Sequence, residues 1–276
     1  DLQPADAGDT AAAWRAAVEQ HPNMLAEPAL LGRAGRRLAP TLQDGDADVT
    51  PGPVLLEQLL DAAPSFAPAS DALAAAVAPI AAAWPTDRRL RVLVFGAGGL
   101  AIGRRLLPVL PAGRFDLVLV QADEASALQL SARFAAQTDV RVVCADLLAS
   151  PVAEGLAEQN FDLLVGVFAL RTSADPLAML QAAVRLAAPA APVLLAEFAP
   201  AAWLDLAFGA AAGAWEPAAT VDGSPSPAEP AFAALLQAAG LQVPAVHRLA
   251  GALVATAAAP ATLRLAQQPT AEPPRR

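Results

Sequence analysis

The sequence predicts an α/β protein: a doubly wound parallel sheet preceded by a helical segment. Three observations carry that prediction. Five apolar runs of strand length follow residue 89: LRVLVFG (90–96), FDLVLVQ (115–121), DVRVVCA (139–145), FDLLVGVF (161–168) and PVLLAEF (192–198). They are continuous rather than alternating, as expected of strands buried on both faces. Stretches of helical length separate most of them, and strands alternating with helices imply right-handed crossovers between parallel neighbours.

Taken in order, the first 84 residues read as helices broken by proline and glycine: Ala11–Gln20, Pro28–Leu42, Val54–Ala62 and Ser70–Trp84. An acidic loop, Asp44–Pro53, divides the second from the third. Ser70 and Asp71 are N-cap residue types, and Trp84-Pro85 is a stop. Beyond residue 90 the helical stretches are Ile102–Leu110, Glu124–Gln137 and Asp175–Ala187. A helix over Ala228–Ala239 then leads to LQVPAV and GALVATA, which are read as an antiparallel hairpin closing the sheet.

Composition excludes several chemistries. Among 276 residues there are 73 alanines, 18 arginines and neither lysine nor tyrosine. A 55% apolar fraction with 16% charge is incompatible with global disorder. A net charge of −9 with scattered arginines argues against nucleic-acid binding, which needs a basic face. Without lysine there is no Schiff base and no phosphate-loop lysine; without tyrosine there is no Tyr/Lys catalytic pair. One cysteine, Cys144, and two separated histidines, His21 and His247, predict neither a disulfide framework nor a metal site. The apolar stretch Ala72–Trp84 is too short for a bilayer and contains Pro79. The expectation is a soluble, cytoplasmic protein. The polar opening DLQPADAGD and the proline-rich close QQPTAEPPRR read as linkers, predicting a domain of a longer polypeptide.

Gly96-Ala97-Gly98-Gly99-Leu100-Ala101 follows the first strand and opens a helix, the context in which backbone approaches a nucleotide. Two cofactor classes use such a loop. A nicotinamide reductase is disfavoured by the missing tyrosine. It is disfavoured again by Gln121, which stands where the second strand should offer an acid to the ribose. The other class is S-adenosylmethionine (SAM).

For that class the chain offers a resemblance. Trp203-Leu204-Asp205-Leu206-Ala207-Phe208-Gly209, followed by Gly213-Ala214-Trp215, resembles the WLDLVFG…GWW segment of polyketide-synthase C-methyltransferase domains. ALLGRAGRRLAPTLQDGDAD (29–48) is similar to their helical lid. Gly223-Ser224-Pro225-Ser226-Pro227 leading into AFAALLQAAGL (231–241) resembles a third segment of the family, in the same order. The resemblance implies a class I SAM-methyltransferase fold, Rossmann-like. A helical lid would cover 1–86, a core 87–265 and a linker 266–276. The parent would be a polyketide synthase, an acyltransferase by class.

Several diagnostic positions depart from the family. Val94 replaces the acid near the methionine end of SAM, and Leu100 and Ala101 stand at later small positions of the loop. Gln121 falls where a carboxylate grips the ribose. Gly96, Gly98 and Asp146, the acid facing the adenine, are retained. The family's catalytic histidine, with its glutamate partner on the fifth strand, removes the α-proton of a β-ketoacyl thioester. Here Arg171 takes the histidine position, and a guanidinium accepts no proton at neutral pH. Glu197 is retained and is expected to pair with Arg171.

The resemblance with these departures implies a degenerate pseudo-methyltransferase, with no catalytic residue, no cofactor and a structural role in a megasynthase. The alternative is an active SAM-dependent C-methyltransferase acting on the α-carbon of a carrier-bound β-ketoacyl chain. Neighbouring megasynthase domains are the expected partners and an acyl-carrier protein a further candidate, with no nucleic acid or membrane. Trp203, Phe208 and Trp215 are read as core rather than tunnel lining, Cys144 as a small buried hydrophobe and His247 as structural. Arg104 and Arg105 are read as a solvated face, with carrier-protein contact as the sharper alternative.

Overall fold

A computed structural model describes residues 9–44, 53–149, 156–208 and 226–261. The acidic stretch 45–52, the segment Gly213-Ala214-Trp215 and the linker 266–276 lie outside the described residues. Five parallel strands form most of the sheet: β1 (Leu90–Phe95), β2 (Phe115–Gln121), β3 (Val140–Cys144), β4 (Leu163–Val167) and β5 (Pro192–Phe198). A hairpin of β6 (Gln242–Leu249) and β7 (Ala252–Ala258) completes it, with β7 antiparallel to β5. The strand order is β3-β2-β1-β4-β5-β7-β6. Chain direction across the sheet therefore reverses between β1 and β4, and ligands of open α/β sheets bind beyond the strand ends at such a point.

Side chains alternate across each strand, so one run serves two cores. Val92 and Val94 of β1 face a core shared with Leu117, Val165 and Val167. Leu93 and Phe95 face the other, with Val118, Leu164 and Leu195. Helices α7 (Pro176–Leu186) and α9 (Glu229–Ala238) cover that second face, through Leu180, Val184, Phe232 and Leu236. The first face is covered partly by α5 (Gly99–Leu106) and partly by helices that precede the sheet. Those are α2 (Ala26–Asp44), α3 (Pro53–Ala62) and α4 (Ala67–Ala82), while α1 (Thr10–Gln20) packs on α2. Leu30, Leu59, Phe66, Leu73 and Val77 from this segment sit in one cluster with the strand valines. Among the described residues the remaining α-helices are α6 (Glu124–Arg133) and α8 (Ala202–Phe208).

Helix boundaries differ from the sequence expectation where local chemistry intervenes. The helix after β1 starts at Gly99 rather than Ile102, because the glycine turn leads straight into it and Ile102 N donates to Gly98 O at 3.0 Å. α4 starts at Ala67, ahead of the expected Ser70 cap. Pro68 occupies its first turn, where a missing N–H leaves nothing unsatisfied, and Ser70 is buried instead. α6 ends at Arg133, short of Gln137. Asp123 and Asp175 cap α6 and α7, accepting from Ser126 N at 2.8 Å and Ala178 N at 3.0 Å. Cys144 is exposed, contrary to expectation, because β3 is the outer strand of the sheet. His247 is likewise exposed, on the opposite outer strand β6.

Among the described residues no single helix is long and apolar enough to cross a membrane. Helices α3 and α4 meet that test only as a pair bent by 61°. Leu59, Leu60, Leu73 and Val77 of the pair are buried in the protein's own core.

Phe66, between α3 and α4, is fully buried where the helical segment meets the sheet. Replacing it with alanine is expected to lower the unfolding free energy by ~3–5 kcal/mol, as for other buried aromatic truncations. Urea unfolding of Phe66→Ala measures this; a loss under ~1 kcal/mol would mean that the joint is not anchored there.

Candidate functional site

The site lies beyond the carboxyl ends of β1, β4 and β5, beside the glycine loop. Gly96 has φ +101°, in the left-handed region that favours glycine. A Cβ at Gly96 would lie 2.3 Å from Val167 O, and one at Gly98 would lie 2.4 Å from Val167 Cγ1. Gly98 N also donates to Val167 O at 3.2 Å. Both glycines are thus required by the packing of the loop on β4. Gln121, at the end of β2, turns back onto the same loop and donates through Nε2 to Gly96 O at 3.3 Å. Its amide stands where a Cβ on Gly99 would go, 2.7 Å away.

Val94 is fully buried, paired in register with Leu119 and Val165. Leu100 is half-buried against the core that the first helices share, and Ala101 is buried. Asp146 is exposed beyond β3, and its Oδ1 accepts from Leu148 N at 2.9 Å in a local turn. The structure therefore brings Gly96, Gly98 and Gln121 together, while Asp146 is engaged with its own loop.

Aromatic rings meet at the ends of β4 and β5. Phe168, just past β4, has φ +53°, uncommon for a bulky residue. Its ring stacks on Phe198 with centroids 4.4 Å apart. Phe66 sits edge-on to both, at 5.5 Å from Phe168 and 5.0 Å from Phe198. Trp203 lies 5.9 Å from Phe66, and Phe208 lies 6.1 Å from Phe198. Trp203 and Phe208 pack against the core, as the sequence reading expected. Phe66, Phe168 and Phe198 were not expected at the site, because the cluster forms between elements far apart in sequence.

The Arg171–Glu197 ion pair does not form. Glu197 is fully enclosed. Its Oε2 accepts from Leu170 N and its Oε1 from Phe198 N, both at 2.8 Å, and the N–H of Ala169 also bonds to it. Backbone amides thus solvate the carboxyl, so it needs no cation in contact. Burial nevertheless pushes it up to about 7, against the pull of those amides and of the nearby Arg171 charge.

Arg171 turns toward α8 instead. Nη1 donates to Ser226 Oγ at 2.7 Å, Nη2 donates to Leu204 O at 3.2 Å, and Nη1 lies 3.6 Å from Asp205 Oδ1. The guanidinium rests 5.2 Å from the centre of the Phe208 ring. Only 7% of the side chain is exposed. Desolvation draws its pKa down from the ordinary arginine value, and the carboxylates of Asp205 and Glu197 oppose that. Ser226 and Asp205 belong to segments singled out in the sequence, but no spacing rule joins them to residue 171.

Arg104 lies on a solvated face, as expected, whereas Arg105 is half-buried. Arg105 bonds to Asp61 and Asp71, and Arg104 reaches Asp61 at 2.9 Å and Glu57 at 4.0 Å. Arg133 reaches Glu57 at 3.6 Å. Arg133, like Arg104, remains exposed, and the ion pairs tie α5 and α6 to α3 and α4. Among the described residues no group of three or more His, Cys, Asp or Glu is placed to hold a metal.

Solved structures share this fold. The CurJ carbon methyltransferase superposes with a TM-score of 0.80 at 18% identity, covering 91% of this chain and 71% of its own. The DszA carbon methyltransferase gives 0.75 at 19% identity, over 92% of this chain and 70% of its own. The CMeT domain of the citrinin polyketide synthase gives 0.76 at 16% identity, over 90% of this chain and 68% of its own. No family model matches the sequence, and no curated protein matches it. At these identities the likeness establishes the fold, which is that of class I methyltransferases.

The Glu197 carboxyl gives a signature in the pH dependence of stability. Below pH about 4.5 it is protonated whether the chain is folded or not. Between about 4.5 and about 7 the unfolded chain ionises while the folded one keeps its proton, so stability falls as pH rises. The fall is ~3 kcal/mol at most, from 1.36 kcal/mol per pKa unit, and it ends above about 7. Denaturant unfolding from pH 4 to 8 should show less of this fall in Glu197→Gln than in the parent chain. Identical curves for the two would mean that Glu197 is ionised throughout.

Proposed function

We propose that the chain is a methyltransferase-like domain of a polyketide synthase that has given up methyl transfer and serves a structural role between neighbouring domains of the megasynthase. Residues 1–86 would form its lid, 87–265 its core and 266–276 a linker. One observation carries the reading. Arg171, which the sequence resemblance sets at the position of the family's base, is a buried cation fixed by Ser226, the Leu204 carbonyl and Asp205. It has no proton-accepting capacity, and its contacts tie the turn after β4 to α8 and to the start of the α9 segment.

The residues present do not fit SAM. The group at the end of β2 is an amide already bonded to the glycine loop, where a ribose diol would want a carboxylate. The position at the end of β1 is a buried valine without polar atoms. Beyond the β4 and β5 ends the Phe66, Phe168 and Phe198 rings pack on one another and offer no polar group. The chain is expected to bind no cofactor.

One observation favours a second reading, an active C-methyltransferase acting on the α-carbon of a carrier-bound β-ketoacyl chain. Glu197 titrates near neutrality, where a general base works well. Against it, both carboxyl oxygens are already held by backbone amides.

Calorimetric titration with SAM separates the two readings. No heat of binding is expected at millimolar SAM, and no gain of one methyl group on a β-ketoacyl carrier substrate. Micromolar binding or methylated product would establish the active enzyme. A second outcome concerns Arg171→His. Because Val94, Leu100 and Gln121 remain, this single change is expected to restore neither SAM binding nor methylation. Robust rescue by it alone would show that the cofactor pocket is intact.

A further inference from the structure

The two outer strands of the sheet differ in kind. β6, on one side, holds Pro244 and shifts register between Gln242 and Ala245. Proline and irregular pairing are devices that keep an edge strand from taking further partners. β3, on the other side, is the apolar run Val140-Arg141-Val142-Val143-Cys144, which has no proline and pairs with β2 in unbroken register. Its Cys144 is exposed, and Val140 and Val142 are half-buried.

The backbone of β3 fixes which groups are on offer. Leu117 N donates to Asp139 O, and Ala145 N donates to Gln121 O, both at 2.9 Å. Those odd-numbered positions bond to β2, and strand alternation turns the N–H and C=O of Val142 and Cys144 away from it. The side chains of Val140 and Val142 share the sheet face on which Leu130 of α6 packs. Between its end residues, Glu124 and Arg133, α6 has no charged side chain. Arg133 points across to Glu57 of α3. At about 100° per residue, Leu128 stands about 140° around the helix from Arg133, away from α3 and toward the sheet edge. Leu128 is 72% exposed, more than any other large apolar side chain among the described residues.

We propose that the β3 edge and the Leu128 flank of α6 form one interface with a second copy of this chain, related by a twofold axis through Val142. The two Val142 residues then exchange N–H···O bonds, and Cys144 N of each copy donates to Val140 O of the other. Val142 and Leu128 lie at the middle of their elements, so the axis that pairs the strands also brings the two leucines together. A lone extended peptide would satisfy the strand edge and leave Leu128 bare. A second copy covers both, because a twofold surface is self-complementary. Arg141, the one charge on β3, lies on the other face of the sheet and stays in solvent.

Sedimentation of the full chain is expected to show its mass doubling as concentration rises from about 1 to about 100 μM. Leu128→Glu alters an exposed side chain, so it should leave the melting temperature unchanged and weaken the dimer about tenfold or more. Val142→Pro removes the outward N–H at the axis, a loss that an edge strand tolerates, and should abolish the dimer. If that variant fails to fold, cross-linking reads the seam instead. Val142→Cys with Cys144→Ser should form an intermolecular disulfide on oxidation, because a hydrogen-bonded antiparallel pair sets its Cα atoms about 5.5 Å apart. The parent chain, whose Cys144 lies off the axis, should not. The proposal is overturned by a chain that stays monomeric throughout, by a dimer that Leu128→Glu leaves as tight as the parent's, or by a Val142→Cys variant that cross-links no better than the parent. Dimer formation does not depend on whether the chain binds SAM.

Discussion

The contact between Phe66 and the Phe168–Phe198 stack governs the upper end of the sheet. Phe66 comes from the helical segment, Phe168 from the turn after β4 and Phe198 from the end of β5, so three remote pieces of chain must meet for any of the rings to be buried. Ring pairs in edge-on and offset geometries are favoured beyond the area they bury. The positive φ of Phe168 turns the chain so that its ring meets that stack, and such strain persists only where packing determines it. The glycine loop follows from the same arrangement. Val167, one residue before Phe168, is the surface on which Gly96 and Gly98 rest.

Two opposite charges lie buried close to this cluster without touching. A carboxylate and a guanidinium in a low-dielectric interior attract strongly, and pairing would be the simplest way to reduce the desolvation of both. The backbone offers an alternative. The backbone of Ala169, Leu170 and Phe198 presents amides to Glu197, while α8 presents a carbonyl, a carboxylate and a ring to Arg171. Each charge finds its own dipoles, and the two side chains leave adjacent segments in different directions. This separation keeps Glu197 near neutrality in its titration rather than far below it.

Much of the fold was legible in the chain. The five continuous apolar runs became the five parallel strands because a sheet buried on both faces leaves no room for alternation, and the hairpin was visible in its apolar segments flanking a glycine. Boundaries were missed where one residue type has two uses. Ser70 reads as a cap, but Pro68 begins the helix earlier. Cys144 reads as core because its strand is apolar, yet order in the sheet, which no local pattern reveals, puts that strand at the edge. At the site, residue identities were informative and directions were not. Arg171 and Glu197 are close, as the family pattern implies, but which way a side chain leaves its strand or turn depends on neighbours supplied by α8 and the α9 segment. The aromatic cluster was invisible for the same reason.

The arginines at the base of α5 have a consequence for how the molecule moves. A cover that admits a substrate must be able to detach while the sheet stays folded, so it belongs among the least stable parts of a protein. Here α3 and α4 are joined to α5 and α6 through Asp61, Asp71 and Glu57, and their leucines share a core with β1 and β2. Detaching them exposes the strands themselves. The amides of these helices should therefore exchange with solvent only as the sheet unfolds, making cover and sheet one cooperative unit. The helical segment is held as a wall of the fold.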